Sequence, residues 1–363
     1  MNVWNCPEAV NSMKKRPAGR NRQIRGLEGL RTLALFGVLL FHMFPRTVTG
    51  GFFGVIMFFA ISGFLTAYSS IGRKDVPILT YYRKRIARIY PSLVIMLFVT
   101  IEIVALIDHF KLQNTQEEVL SVLLAYNNYW QISSRADYFA NLTANSPFTH
   151  LWYIAILIQY EILWPLLYRL LRRTGWKLKG LLILTGVSLL IMPAGALLGT
   201  VSITTLYYGT LSRIHALLIG ACAGWFTAGN RGRKKLRVKA TVANVSLLLF
   251  VIGTIWLYQH ADGSAAWVYQ YGIVLYALIC GLMLVLLSSS KSRLVNLLDN
   301  PFTHFMNTYS YEIYLWQYPV LFVFGLLSWN TAFLQYLAQV IILLMISIWN
   351  HEFIAFLKQR ISG

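Results

Sequence analysis

Long apolar runs alternate along the chain with short polar, mostly basic segments. A helix of about 20 apolar residues crosses a bilayer core. Ten such runs are read at 28–46, 51–70, 90–108, 150–171, 180–199, 208–228, 240–259, 268–289, 303–326 and 332–354. The pattern predicts an all-α fold: a polytopic membrane bundle of about ten transmembrane helices spanning 27–355. A basic tail at 1–26 and a short tail at 356–363 flank it. The longest connection is 109–149. Within it "NTQEEVLSVLLAYNNYW" is amphipathic at helical spacing, with Val119, Val122, Leu123 and Tyr126 on one side. That predicts a helix lying along the membrane surface. Its aromatic end suits interface anchoring or stacking on a sugar.

Composition agrees. The 363 residues are 57% hydrophobic and 12% charged, about half the charge of a soluble domain. The net charge of +19 does not imply a nucleic-acid partner, because 27 of the 32 Lys and Arg residues cluster on alternate connections. This positive-inside pattern predicts that those connections and both termini are cytoplasmic, with membrane lipids as neighbours. The first 26 residues lack an apolar core and read as a cytoplasmic tail, not a cleaved signal. Cys6, Cys222 and Cys280 have no metal-ligand or disulfide spacing, so no metal is expected.

Several polar residues interrupt the apolar runs. In "GLRTLALFGVLLFH", Arg31 and His42 are eleven positions apart. On a helix they are only about 20° out of phase and about 16 Å apart along the axis. Intramembrane ionisable residues normally face a protein interior or a wet cavity. The plainer alternatives are an arginine snorkelling to headgroups and a histidine bonded to a carbonyl. "TYYRKRIARIYP" carries Arg83, Lys84, Arg85 and Arg88, which suit either lipid contact or bidentate phosphate binding. "HLWYIAILIQYEILWP" places His150 and Glu161 on one expected face, with Gln159 nearby. "YYGTLSRIHALLIG" holds Arg213 and His215, and "YSYEIYLWQYP" holds Glu312 and Gln317. Each could be a satisfied structural group, but together they point to a polar cavity inside the bundle.

These segments, with "GGFFGVIMFFAISGFL", occur in the order seen in the acyltransferase-3 family, which the chain resembles over about residues 24–355. The resemblance implies a bacterial membrane-bound O-acyltransferase, multi-pass in the plasma membrane, with O-acetyl transfer as the first expectation. Acetyl-CoA or another acyl-CoA would be the cytoplasmic donor substrate, with no permanently bound cofactor. A cell-envelope glycan or lipid-linked saccharide on the outer side would be the acceptor. On matching positions, His42 and Arg31 would be catalytic, and His42 would act as general base or acyl carrier. Arg85 and Arg88, with Arg83 and Lys84, would bind the donor. His150, Gln159, Glu161 and Arg213 are the candidate acceptor-binding residues. Positions often acidic in the family are here Ile56, Leu157, Ile158 and Leu211, and a frequent histidine is Gln317. Some members carry an extra extracellular hydrolase-like domain. Without one, the membrane unit would act directly on its acceptor, or a separate extracellular transferase or esterase-like protein would finish the transfer. A transporter, or a non-catalytic membrane subunit of polysaccharide assembly, are the alternatives.

Overall fold

A computed structural model describes residues 24–71, 77–112, 115–134, 146–229, 238–290, 292–327 and 331–362. Residues 1–23, most of the expected basic tail, lie outside the described residues. The helices, in chain order, are α1 (Leu27–Met43), α2 (Phe53–Ser70), α3 (Ile78–Asp108), α4 (Thr115–Leu123), α5 (Asn127–Ser133), α6 (Trp152–Arg173), α7 (Lys177–Leu197), α8 (Ile203–Tyr208), α9 (Thr210–Gly229), α10 (Ala240–His260), α11 (Ile273–Ser289), α12 (Arg293–Leu297), α13 (Pro301–Leu326) and α14 (Ala332–Ser362). Among the described residues there is no strand, only an isolated bridge between Val238 and Ser290. The protein is an all-α polytopic bundle.

Each expected span is a helix, but two boundaries differ. α3 begins at Ile78, not at 90, because its charged first turns are helical although hydropathy excludes them. α14 runs on through Ser362, so residues 356–362 continue a helix. Among the described residues, eight helices are long and apolar enough to cross a membrane. α1 and α13 are not among them: α1 has 17 residues, and α13 carries His304, Asn307, Glu312 and Gln317.

The ends of the bundle are fixed by contacts between elements. At one end the Gly26 amide donates to Asp299 Oδ2 at 2.8 Å, and Tyr168 Oη donates to the Ser70 carbonyl at 2.8 Å. At the other the Gly50 amide donates to the Tyr258 carbonyl at 2.9 Å, and Asn128 Nδ2 to the Tyr208 carbonyl at 3.0 Å. The first is called the basic end, since Arg83, Lys84, Arg172, Arg173, Lys177 and Lys179 belong to the helix termini there. The second is the far end.

α2 is central and packs against α1, α9 and α11. The outer helices α10 and α14 expose Leu248, Leu249, Ile252, Leu334, Ile341 and Met345, as a lipid-facing surface requires. Apolar faces gain little from meeting each other in lipid, so close backbone approach has to hold the centre together. A Cβ at Gly63 in α2 would lie 1.9 Å from the Leu217 carbonyl oxygen, and one at Gly220 in α9 would lie 1.9 Å from that of Ala60. No side chain fits at either position.

Gly220→Ala is therefore expected to force α2 and α9 apart and to lower the thermal midpoint in detergent sharply, overpacking costing about 1–3 kcal/mol or more. Gly253→Ala meets nothing within 4 Å and is expected to leave the midpoint unchanged or raise it.

Candidate active site

The two helices that fail the apolar test lie side by side. Asn300 caps α13 through a reciprocal bond with Thr303, with Pro301 in its first turn, which fixes its start next to the start of α1. Both helices then run from the basic end towards the far end. Arg31 Nη1 donates to Asn307 Oδ1 at 2.7 Å. His42 is buried, with its ring edge-on to Tyr318 at 5.1 Å between centroids, and Gln317 lies beside it. Arg31 and His42 thus share a face, as their spacing predicts, and that face is turned to α13.

Arg31 has Glu28, Arg88 and Tyr153 in its electrostatic surroundings. Glu28 is bound by His304 Nδ1 at 3.0 Å. The structure divides the basic cluster of α3. Arg83 and Lys84 are exposed. Arg85 turns inward, its Nε 2.9 Å from Glu161 Oε2 and its guanidinium 5.1 Å from the centre of the Tyr81 ring. Arg88 is exposed yet close enough to act on Arg31. A cationic mouth of Arg31 and Arg88 results, with Arg85 already matched by a carboxylate.

The residues considered for an acceptor are not brought together. His150 lies in a 3₁₀ turn before α6 begins, so the helical phase linking it to Glu161 is broken. Its Nε2 donates to the Leu315 carbonyl at 3.0 Å, its ring stacks on Tyr318 at 5.3 Å, and its carbonyl accepts from Tyr314 Oη at 2.7 Å. Glu161 instead accepts from Arg85, Tyr81 and, at 3.1 Å, Thr66. Gln159 donates to the Ala125 carbonyl at 2.8 Å and to Asn128 Oδ1 at 2.9 Å, and accepts from Thr210 at 2.6 Å. Arg213 is buried, donates Nε to the Tyr207 carbonyl at 2.7 Å, and sits over the rings of Tyr207 and Trp152. Only His150 joins His42, through the tyrosine that both rings contact.

The expected surface helix is two helices, α4 and α5, broken at Ala125, whose φ of 58° is left-handed. Its inward side is mixed: Glu118, Ser121, Asn127, Asn128 and Gln131 are buried together with Val122 and Ala125, while Leu120, Leu124 and Tyr129 are exposed. Of the expected apolar face, Val119 and Leu123 also pack against the core, so the segment covers the bundle at the far end with apolar and polar side chains both turned inward. Glu118 accepts from Gln131 Nε2 at 3.2 Å and from Ser146 Oγ. Burial pushes its carboxyl up to about 7, against the lowering effect of those two bonds. Neither Glu118 nor Tyr318 stands out as a site residue in the sequence. The polar stripe Thr115, Glu118, Ser121 is the one signal for the first, and the second emerges only from the fold.

Among known families, the model described as an acyltransferase domain matches residues 24–349. The chain belongs to the acyltransferase-3 family. Within that family, "Putative peptidoglycan O-acetyltransferase YrhL" of Bacillus subtilis is 29% identical over 315 residues, covering 83% of this chain and 49% of the relative. "O-acetyltransferase OatA" of Staphylococcus aureus is 25% identical over 311 residues, covering 83% of this chain and 51% of the relative. The chain thus spans about half the length of the curated relatives it matches. No solved structure matches it.

The Glu118 carboxyl gives a pH prediction. Its folded value near 7 exceeds the ordinary 4.5, so the folded state holds the proton more tightly. Its contribution to stability is full below about pH 4.5 and is lost as pH rises through 7. Across that window the parent should lose about 3 kcal/mol that Glu118→Gln does not lose. Thermal midpoints of the two proteins in detergent, compared from pH 4.5 to 8, should diverge in that direction.

Proposed function

We propose that this protein is a membrane-bound O-acyltransferase, with acetyl as the first acyl group to test. It takes the group from acyl-CoA at the basic end and passes it to a saccharide hydroxyl at the far end. The observation that carries the reading is the common docking of Arg31 and His42 on α13, with a cationic mouth at one level and a buried imidazole at the other. The named relatives support the acetyl group and an envelope-glycan acceptor, lipid-linked or nascent. A separate extracellular transferase could complete the transfer. The alternation of basic connections supports a plasma-membrane protein with the basic end and both termini cytoplasmic.

In this reading the phosphates of the donor meet Arg88 and the exposed Arg83 and Lys84, and Arg31 anchors the donor further in. Arg85, paired with Glu161, shapes the mouth more than it binds phosphate. The thioester reaches the level of His42. The imidazole takes the proton of the acceptor hydroxyl as its oxygen attacks the thioester carbonyl. The C–S bond then breaks, and the departing thiolate takes up a proton to leave as free CoA. Gln317 is placed to orient the ring.

His42→Ala should lower the rate of acyl transfer by about 10²–10⁴-fold, with insertion into the membrane unchanged. CoA release from acetyl-CoA by the purified protein in vesicles measures it, and near-normal turnover would remove His42 from the chemistry.

Arg31→Lys separates donor binding from snorkelling, since lysine reaches headgroups equally well but lacks the planar fork. It should raise the acetyl-CoA concentration for half-maximal rate while leaving expression normal. Kinetics indistinguishable from the parent would make Arg31 a topological residue.

A further inference from the structure

A buried carboxylate lies close to the far half of the site. It comes from α4. Glu118 is 2% exposed, and each of its oxygens accepts one bond, from Gln131 Nε2 and from Ser146 Oγ. Ser146 Oγ in turn accepts from the Phe148 amide at 3.0 Å, and the Ser146 carbonyl accepts from Thr149 Oγ1 at 3.4 Å. Phe148 is fully buried and its carbonyl receives the Leu151 amide at 3.0 Å. The 3₁₀ turn Thr149–Leu151 is thereby tied at its start to Glu118. That turn carries His150, stacked on Tyr318, and Thr149, within hydrogen-bond reach of the Tyr318 hydroxyl. Tyr318 is the ring against which His42 rests. Glu118 itself is near enough to act electrostatically on Tyr318.

We propose that Glu118 is a positioning residue of the transfer reaction, fixing through Ser146 the turn that holds His150 and Thr149 against Tyr318 and so setting the wall beside His42. This rests on the acyltransferase reading. A three-residue turn carrying two side chains of a site is held only as well as its first anchor, and a misplacement of about 1 Å can cost about 10²-fold in rate. The donor arrives at the opposite end of α1, so the effect should fall on turnover and not on donor binding.

The full chain in vesicles is tested with acetyl-CoA and an N-acetylglucosamine oligomer, reading CoA release and acetylated sugar. Glu118→Ala and Ser146→Ala should each lower kcat about 10- to 100-fold, with the KM for acetyl-CoA unchanged. Because the two act in series, the double variant should be no slower than the slower single one. Glu118→Gln should keep kcat within about threefold, since its amide oxygen still accepts from Gln131 and its amide nitrogen can donate to Ser146 Oγ. If Glu118→Ala does not fold, Ser146→Ala and Glu118→Gln carry the same test. Normal kcat in Ser146→Ala, additive losses in the double variant, or a raised acetyl-CoA KM would overturn the proposal. A parent protein that releases no CoA would instead overturn the acyltransferase reading, and the proposal with it.

Discussion

Backbone-to-backbone contact between α2 and α9 is the fixed point of the molecule. Gly63 and Gly220 let each helix press on a carbonyl of the other, and in lipid such contact does what apolar burial does in water. α1 meets α2 and the turn before it in the same manner: Cβ atoms at Gly51 and Gly54 would lie 2.1 and 2.4 Å from the carbonyls of Gly37 and Ala34. On α1 the face centred on Ala34, Gly37 and Phe41 is about a quarter turn from the face of Arg31 and His42 at 100° per residue. Seating the small face on α2 therefore points the polar face at α13. The position of the imidazole follows from glycines on α1 itself and at the neighbouring α2.

The helices were legible because lipid imposes one rule on every residue that faces it. The same rule explains why the site was half legible. Arg31 and His42 break the rule on one helix, so their phase could be computed from spacing alone, and the structure keeps it. His150 and Glu161 break it as well, but His150 sits in the 3₁₀ turn Thr149–Leu151, which spoils the phase. Arg85 and Glu161 neutralise each other across α3 and α6, a pairing that no local periodicity encodes. Glu118 lies beside Val122 on the buried side of its segment, and a regular apolar stripe does not by itself say which neighbouring polar side chain is buried with it.

α1 and α13 fall short of the length or hydropathy of a lone span for a reason that is itself informative. Each is too short or too polar to be a good span alone, and each supplies what the other lacks. Asn307 meets Arg31, His304 meets Glu28, and Gln317 and Tyr318 flank His42. Helices such as α10 and α14, with exposed leucine and isoleucine along their length, meet the requirement for an apolar lipid-facing surface by themselves.

The Arg31–Asn307 bond joins residues 276 positions apart. At a synthesis rate of about 5–20 residues per second, α1 emerges from the ribosome about 15–55 s before α13 exists. During that interval a helix bearing an arginine and a histidine has no α13 to lean on. It must wait at the translocon, or with Arg31 drawn out to the headgroups. The seam of Arg31 and His42 on α13 is therefore closed by one of the last helices to be made, and the order of assembly keeps it incomplete until most of the bundle that surrounds it is in place.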